Sequence, residues 1–149
     1  PGRVFVAGHS AGGYLTSMIG LDKRWLEPYG IDPDTAFVAL IPYSGQVVTH
    51  FERRRELGLP DTQPLVDDMA PLSYVRPDCR PMLILSGDRE REMLGRYEEN
   101  AYFWRMMRVA GHPDVRICEF DGFDHGNMPQ AGHFVAVRYI REMERRMDR

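Results

Sequence analysis

Short apolar runs alternate with longer segments of helical periodicity along this chain. The runs that predict β-strands are rich in Val, Ile, Leu and Phe and cover residues 3–8, 36–43, 82–85 and 115–120. The segments that predict helices carry apolar side chains three or four positions apart and cover residues 11–21, 97–110 and 134–147. Strands that are apolar on both faces and separated by helices are typical of a parallel sheet covered on both sides. The pattern therefore predicts an α/β fold.

Two local features refine this prediction. Pro42 has no N–H to donate, so it is expected to end the ladder of the second strand. The last helix is expected to bury the apolar stripe formed by Phe134, Val137, Ile140, Met143 and Met147.

Residues 46–80 interrupt the alternation of strands and helices. This segment of mixed helix and loop holds a cluster of arginines and glutamates at 52–56 and prolines at 60, 64 and 71. A connection of this length between two strands is usually a lid or a binding loop. We therefore expect one domain over residues 1–149 with a lid-like insertion at about 46–80.

Composition narrows the class of protein. The chain has 149 residues, of which 43% are hydrophobic, and its 19 basic and 22 acidic residues give a formal net charge of −3. Without a basic excess, nucleic-acid binding is disfavoured, and no apolar run is long enough for a membrane span. Cys79 and Cys118 lack a CxxC spacing and are expected to be free thiols rather than a disulfide. The localisation is undetermined.

A G-x-S-x-G pattern carries the strongest chemical signal. Residues 8–12 read Gly-His-Ser-Ala-Gly, directly after the first predicted strand and at the start of the first predicted helix. A sharp strand-to-helix turn exposes the Ser10 hydroxyl and places the Ala11 N–H where an oxyanion would develop. Glycine is expected at positions 8 and 12 because a Cβ there would collide with neighbouring backbone.

A serine nucleophile needs a base, and the base needs an acid to orient it. The loop after the third strand offers Asp88 and Glu90, and the loop after the fourth strand offers His125, flanked by Gly126. The order serine, acid, histidine is the order of an α/β-hydrolase. His125 is the only one of the five histidines that ends a strand after both acids. No His, Cys or carboxylate pairs stand at metal-ligand spacing.

The sequence resembles the esterase and lipase branch of the α/β-hydrolase superfamily, including feruloyl-esterase-like and kynurenine-formamidase-like enzymes. The segments that carry the resemblance are GHSAGG, PYSG, SGDRE, YEENA and DHG, in the expected order. The resemblance implies that Ser10 is the nucleophile and His125 the general base. It favours Glu90 as the acid, with Asp88 as the alternative, and implies no metal or organic cofactor.

One departure from the family pattern concerns the region before the elbow. Family members carry several strands and an HGGG-type loop there, and that loop supplies a second oxyanion donor. The chain resembles the C-terminal half of such an enzyme, so the parallel sheet is expected to lack its N-terminal strands. We therefore expect a homodimer or association with a missing N-terminal segment.

The function implied is hydrolysis of small-molecule carboxylic esters through an acyl-enzyme. Two alternatives stay open, namely an amidase or peptidase with the same triad, and a non-catalytic binding or assembly module that retains the elbow.

Overall fold

A computed structural model describes residues 2–149. Its strands are β1 (Val4–His9), β2 (Phe37–Tyr43), β3 (Met82–Gly87) and β4 (Val115–Phe120). Its helices are α1 (Ala11–Leu21), α2 (Pro33–Ala36), α3 (Phe51–Glu56), α4 (Arg96–Val109) and α5 (Met128–Met147). The predicted strands and long helices are all present, and the bounds of α1 and β4 are those that the sequence predicts.

The four strands form one parallel sheet in the order β1-β2-β3-β4. Helix α5 packs with β2 and β3 in one buried apolar cluster, whereas α1 and α4 pack with the other face of these strands in a second cluster. The predicted parallel sheet covered on both sides is therefore confirmed. Because all strands run the same way, their carboxyl ends meet at one edge of the sheet, which is where chemistry-bearing loops collect in such folds.

The expectation that Pro42 ends the β2 ladder is wrong. On the β1 side the pairing continues past it, with Gly8 opposite Pro42 and His9 opposite Tyr43. On the β3 side, the N–H groups of Leu40 and Ser44 donate to carbonyls of the 81–85 segment. Alternate residues of a strand point their N–H groups to the same neighbour, so Pro42 removes one bond to β3 and leaves the β1 pairing intact.

The predicted buried stripe of α5 is also wrong in part. The helix begins six residues earlier than predicted, and Phe134 and Val137 are exposed. Its buried residues are Met128, Gly132, Ala136, Tyr139 and Met143. Gly132 explains the shift, because a Cβ at this position would lie 2.6 Å from Cε1 of Tyr43. The helix therefore turns Gly132 and Ala136, together with Met128, Tyr139 and Met143, toward the sheet, and leaves Phe134 and Val137 on its exposed side.

Residues 46–80 are tied to the rest of the molecule at several points. The Tyr14 hydroxyl of α1 donates to the Met69 carbonyl at 2.6 Å, and Arg76 Nε donates to the carbonyl of Leu21, the last residue of α1, at 3.3 Å. Cys79, at the end of this segment, is buried, and both it and Cys118 are free thiols, as expected. In the described residues, no helix is long and apolar enough to cross a membrane.

Candidate active site

Ser10 occupies the tight turn between β1 and α1. Its backbone has φ 58° and ψ −116°, a conformation that non-glycine residues rarely adopt. The Ser10 N–H donates to the Tyr43 carbonyl at 2.9 Å, which fastens the turn to the end of β2. A non-glycine residue held with positive φ by its neighbours at the end of a strand is the expected geometry of a nucleophile elbow.

The prediction that this turn requires glycine at positions 8 and 12 is confirmed at one of the two positions. A Cβ on Gly8 would lie 2.4 Å from the carbonyl carbon of Gly12, so Gly8 is required as predicted. A Cβ on Gly12 would meet nothing within 4 Å, so that part of the prediction is wrong. The close approach involves Gly13 instead, whose Cβ would lie 2.8 Å from the Tyr43 carbonyl oxygen.

His125 lies beside the serine hydroxyl. It stands in the loop between β4 and α5, and its Nε2 is 2.9 Å from Ser10 Oγ. The His125 side chain is 22% exposed. Ala11 is the first residue of α1, so its N–H has no partner within the helix and points out at the helix N-terminus. The structure thus brings together three of the residues that the sequence singles out: Ser10, Ala11 and His125.

The carboxylate that meets His125 is that of Glu92, not Glu90 or Asp88. Oε1 of Glu92 lies 2.6 Å from His125 Nδ1, and Oε2 lies 3.1 Å from it. The Glu92 side chain is completely buried. Glu92 therefore replaces Glu90 as the acid placed against the histidine.

The local turn after β3 explains this correction. Asp88 caps the turn, since its carboxylate accepts the N–H groups of Glu90 at 2.9 Å and Gly122 at 2.8 Å. The Asp88 carbonyl accepts the Glu92 N–H at 2.7 Å, which closes one helical turn. Glu90 lies on the exposed side of that turn and Glu92 on the inner side. The hydrogen bonds that the Asp88 carboxylate accepts from Gly122 and Glu90 also lower its pKa, and the bond from Gly122 has the larger effect.

Ser44 is a member of this cluster that the sequence did not reveal as one. It follows β2, is fully buried and has φ 46°. Its hydroxyl donates to the Glu92 carboxylate, with Oε2 at 2.8 Å, and its Oγ lies 3.2 Å from His125 Nδ1. The available signal was its position, because a serine that directly follows a buried parallel strand lies at the same sheet edge as Ser10.

A second histidine, His9, contacts the backbone of His125. His9 Nε2 lies 2.8 Å from the His125 carbonyl oxygen, and the centres of the two rings are 4.7 Å apart. Burial lowers the pKa of His9, and the neighbouring charge of His125 when protonated lowers it further. A neutral His9 with its Nε2–H donated to that carbonyl fits this geometry, so His9 packs against His125 and holds its backbone.

Behind Ser44 lies a buried ion pair. The Arg96 guanidinium donates to the Ser44 carbonyl, and its Nε donates to Glu99 Oε1 at 2.8 Å. Oε2 of Glu99 accepts the N–H groups of Val47 and Val48, each at 3.2 Å. Burial raises the pKa of Glu99 despite these favourable contacts. The pair fixes the backbone that leads from β2 into the insertion.

A cavity of about 460 Å³ adjoins this pair. Arg96 and Glu99 form part of its wall, and Val48, Phe51 and Met93 give it apolar surface. Met93 is the residue that follows Glu92 in the chain, so the segment that carries Glu92 continues into the wall of this cavity. Among residues 2–149, no group of three or more His, Cys, Asp or Glu side chains is arranged to hold a metal ion.

Comparison with known proteins finds similarity to proteins that are named esterases. No protein-family model matches the chain. The chain is similar to Esterase LipQ of Mycobacterium tuberculosis, with 27% identity over 140 residues that cover 84% of this chain and 33% of that protein. It is also similar to the apo form of Thermogutta terrifontis esterase 2, with a TM-score of 0.71 and 23% identity, covering 96% of this chain and 56% of that one.

A second solved structure of the Thermogutta esterase, with propionate bound, matches with a TM-score of 0.70 and 21% identity, over 96% of this chain and 57% of that one. The chain thus spans about a third of the curated relative and just over half of the solved chains. The fold implied by the sequence resemblance is confirmed.

Proposed function

We propose that this chain, which has the α/β-hydrolase fold, is the part of a serine esterase that carries its Ser10, His125 and Glu92 triad. One observation carries the proposal, namely the continuous chain of contacts from Ser10 Oγ to His125 Nε2 at 2.9 Å and from His125 Nδ1 to Glu92 at 2.6 Å. A serine hydroxyl, a histidine and a carboxylate that are hydrogen-bonded in this order perform nucleophilic catalysis in serine hydrolases of unrelated folds.

The proposed reaction has two halves. In the first, His125 Nε2 takes the hydroxyl proton as Ser10 Oγ attacks the ester carbonyl carbon, and the alcohol leaves with that proton while the acyl group stays on Ser10. In the second, water attacks the acyl-enzyme with His125 again as base, which releases the carboxylic acid and restores the serine. Glu92 stabilises the His125 cation, and the Ala11 N–H donates to the oxyanion.

An ester is favoured over an amide because the named relatives are esterases. The Thermogutta structures include one phosphorylated by paraoxon, which is a reaction of that protein. An activated serine here should likewise accept an organophosphorus reagent. A non-catalytic role is disfavoured, because a relic would not need to keep the serine and histidine within hydrogen-bond distance.

Covalent labelling is the sharpest test. A stoichiometric fluorophosphonate label needs only one reaction per serine, so it detects an activated Ser10 even when ester turnover is slow. We expect the purified chain to be labelled on Ser10, as located by peptide mass spectrometry, and Ser10→Ala to remain unlabelled. Ser17→Ala is the matched control, because Ser17 lies buried in α1 and its hydroxyl has no hydrogen-bond partner among residues 2–149. Equal labelling of Ser10→Ala would refute the proposal.

Turnover separates the substrate classes. A p-nitrophenyl ester and the corresponding p-nitroanilide carry the same acyl group on an oxygen or a nitrogen leaving group. We expect hydrolysis of the ester to exceed that of the anilide, and Ser10→Ala to remove it. Faster anilide hydrolysis would favour the amidase alternative.

A further inference from the structure

The Glu92 carboxylate is buried with few donors. Its side chain has no exposed surface, and within residues 2–149 its hydrogen bonds come from His125 and Ser44. A buried carboxylate that lacks donors is strongly disfavoured. The His125 N–H alone would leave most of the lone pairs of this carboxylate unused, so the second donor matters for the ionised form of Glu92.

The Ser44 backbone is held in place from both sides. Its N–H donates to the Leu85 carbonyl at 2.6 Å, and its carbonyl accepts from Arg96. The φ of 46° is one that glycine adopts freely and serine rarely. The structure keeps a serine there although its neighbour, Gly45, shows that glycine occurs in this turn. A strained residue held by its surroundings beside reacting groups points to a functional contact.

We propose that Ser44 is a positioning residue of the triad, whose hydroxyl holds the Glu92 carboxylate against His125 Nδ1. The hydroxyl donates its proton to Glu92, while Oγ, 3.2 Å from Nδ1, can share the Nδ1 proton. That arrangement keeps the proton on Nδ1 and leaves the Nε2 lone pair facing Ser10. The role in catalysis rests on the proposed function, whereas the contact itself can be tested without it.

Other charged and titratable groups surround His125. They are His9 at the end of β1, Glu92 in the turn after β3 and Asp124, the residue before His125, whose carboxylate accepts the Gly126 and Asn127 N–H groups at 2.9 Å. The charge of Arg96 in α4 acts on His9. Substitution of Ser44 leaves each of these groups in the protein. A change in the pH dependence of the reaction would therefore report the lost hydroxyl.

Two variants remove the hydroxyl. Ser44→Ala keeps a Cβ, and Ser44→Gly suits the positive φ and so protects folding. Ser86→Ala is the matched control, because Ser86 is also fully buried near the end of a neighbouring strand and its hydroxyl has no hydrogen-bond partner in the described part of the chain. Both Ser44 variants should lower kcat and the rate of fluorophosphonate labelling by roughly 10- to 100-fold, the usual range for a hydrogen bond to a charged group. KM should stay near its original value.

The pH profile distinguishes positioning from a merely structural role. Without the Ser44 hydroxyl, only His125 among the described residues donates to the buried Glu92 carboxylate. The carboxylate then depends more on the doubly protonated His125 ring, which stays protonated up to a higher pH. The acid limb of the labelling rate should therefore move to higher pH in both Ser44 variants and stay in place in Ser86→Ala. Slower labelling with an unmoved acid limb would overturn the proposal.

Proton NMR tests the contact even if the chain hydrolyses no ester. A histidine N–H in a short hydrogen bond to a carboxylate gives a far-downfield signal, assigned here by its loss in His125→Gln. We expect both Ser44 variants to shift or broaden this signal, and Ser86→Ala to preserve it. An unchanged signal in folded Ser44→Gly would overturn the inference about Ser44, whereas absent labelling of Ser10 would count against the proposed function alone.

Discussion

Gly13 and Gly45 lie backbone against backbone where α1 passes the end of β2. A Cβ on Gly13 would lie 2.9 Å from the Gly45 Cα, and a Cβ on Gly45 would lie 2.5 Å from the Gly13 carbonyl carbon. This contact joins the helix that follows Ser10 to the turn that contains Ser44. The distance between Ser10 and Ser44 therefore depends on the absence of side chains at Gly13 and Gly45.

Gly13→Ala should destabilise the protein by about 1–3 kcal/mol, because the added methyl meets backbone atoms that cannot rotate away. Gly12→Ala, one residue earlier in the same helix, has open space and should be neutral or gain up to about 1 kcal/mol from helix propensity. Urea unfolding followed by circular dichroism measures both. Similar stabilities for the two variants would show that α1 can move away from β2.

Glu92→Gln should lower ester turnover by about 10³–10⁴, since loss of the orienting carboxylate has this effect in a comparable triad. Glu90→Gln changes an exposed side chain and should leave turnover within a factor of two or three of the parent. Asp88→Asn should act mainly on stability, because Asp88 caps the turn. Initial rates on a p-nitrophenyl ester separate them, and a larger loss in Glu90→Gln than in Glu92→Gln would reverse the assignment.

The elbow could be predicted from sequence because its determinants are local. Strand, serine, glycine and helix follow one another within a few residues, and β1 and α1 form where the apolar pattern predicts them. The acid could not, because Asp88, Glu90 and Glu92 share one loop. Which of them faces His125 depends on two hydrogen bonds of Asp88. One closes the helical turn to the Glu92 N–H, and the other reaches the Gly122 N–H in the loop after β4.

Packing between distant segments explains the other differences. The buried face of α5 depends on the Tyr43 ring, which selects Gly132 through a contact 89 residues away in sequence. The contact between Ser44 and Glu92 also depends on distant packing. Nothing in the sequence around Ser44 indicates that a glutamate from the loop after the next strand will meet it.

The cavity lined by Met93, Arg96 and Glu99 should select the size of a substrate group. Met93 lines it and is 44% exposed, so Met93→Trp can fill part of the space without replacing a core residue. We expect the ratio of kcat/KM for p-nitrophenyl octanoate over acetate to fall by about 10-fold. Val66→Trp is the control, because Val66 has similar exposure and does not line the cavity. An unchanged ratio in Met93→Trp would place the acyl group elsewhere.

Asp34 should make stability depend on acid pH. Burial raises its pKa, but hydrogen bonds from Arg76 and Lys23 outweigh that effect and hold the pKa below its usual value. A carboxylate with a lowered pKa in the folded state stabilises the protein above about pH 4, where the unfolded group is ionised, and loses this effect as the pH falls through the folded pKa.

Asp34→Asn should accordingly lower the free energy of unfolding by about 2 kcal/mol at pH 7, with a smaller difference near pH 2. Asp78→Asn breaks a contact of the same Arg76 side chain at a position that is 77% exposed, so it should have much less effect. Urea titrations at both pH values test this. An Asp34→Asn difference that does not shrink in acid would mean that the loss is not electrostatic.

The edges of the sheet lead to a prediction about assembly. Strand β1 lies at one edge, reads VFVAGH and contains no Asp, Glu, Lys or Arg. Strand β4 at the other edge carries Arg116 and Glu119. Charged side chains protect an edge strand from pairing with another chain. Val4 is 44% exposed in β1, so this edge offers both unpaired backbone groups and apolar surface. Association should therefore occur through β1 rather than β4.

Light scattering on the purified chain should give a mass above the 17.2 kDa of one copy. Val4→Lys should reduce that mass, because a charge on the edge strand opposes pairing. Leu94→Lys is the control, since Leu94 is 96% exposed in the loop before α4 and lies outside the edge strands. A monodisperse mass near 17.2 kDa, or an equal response to the two lysines, would show that β1 does not mediate association.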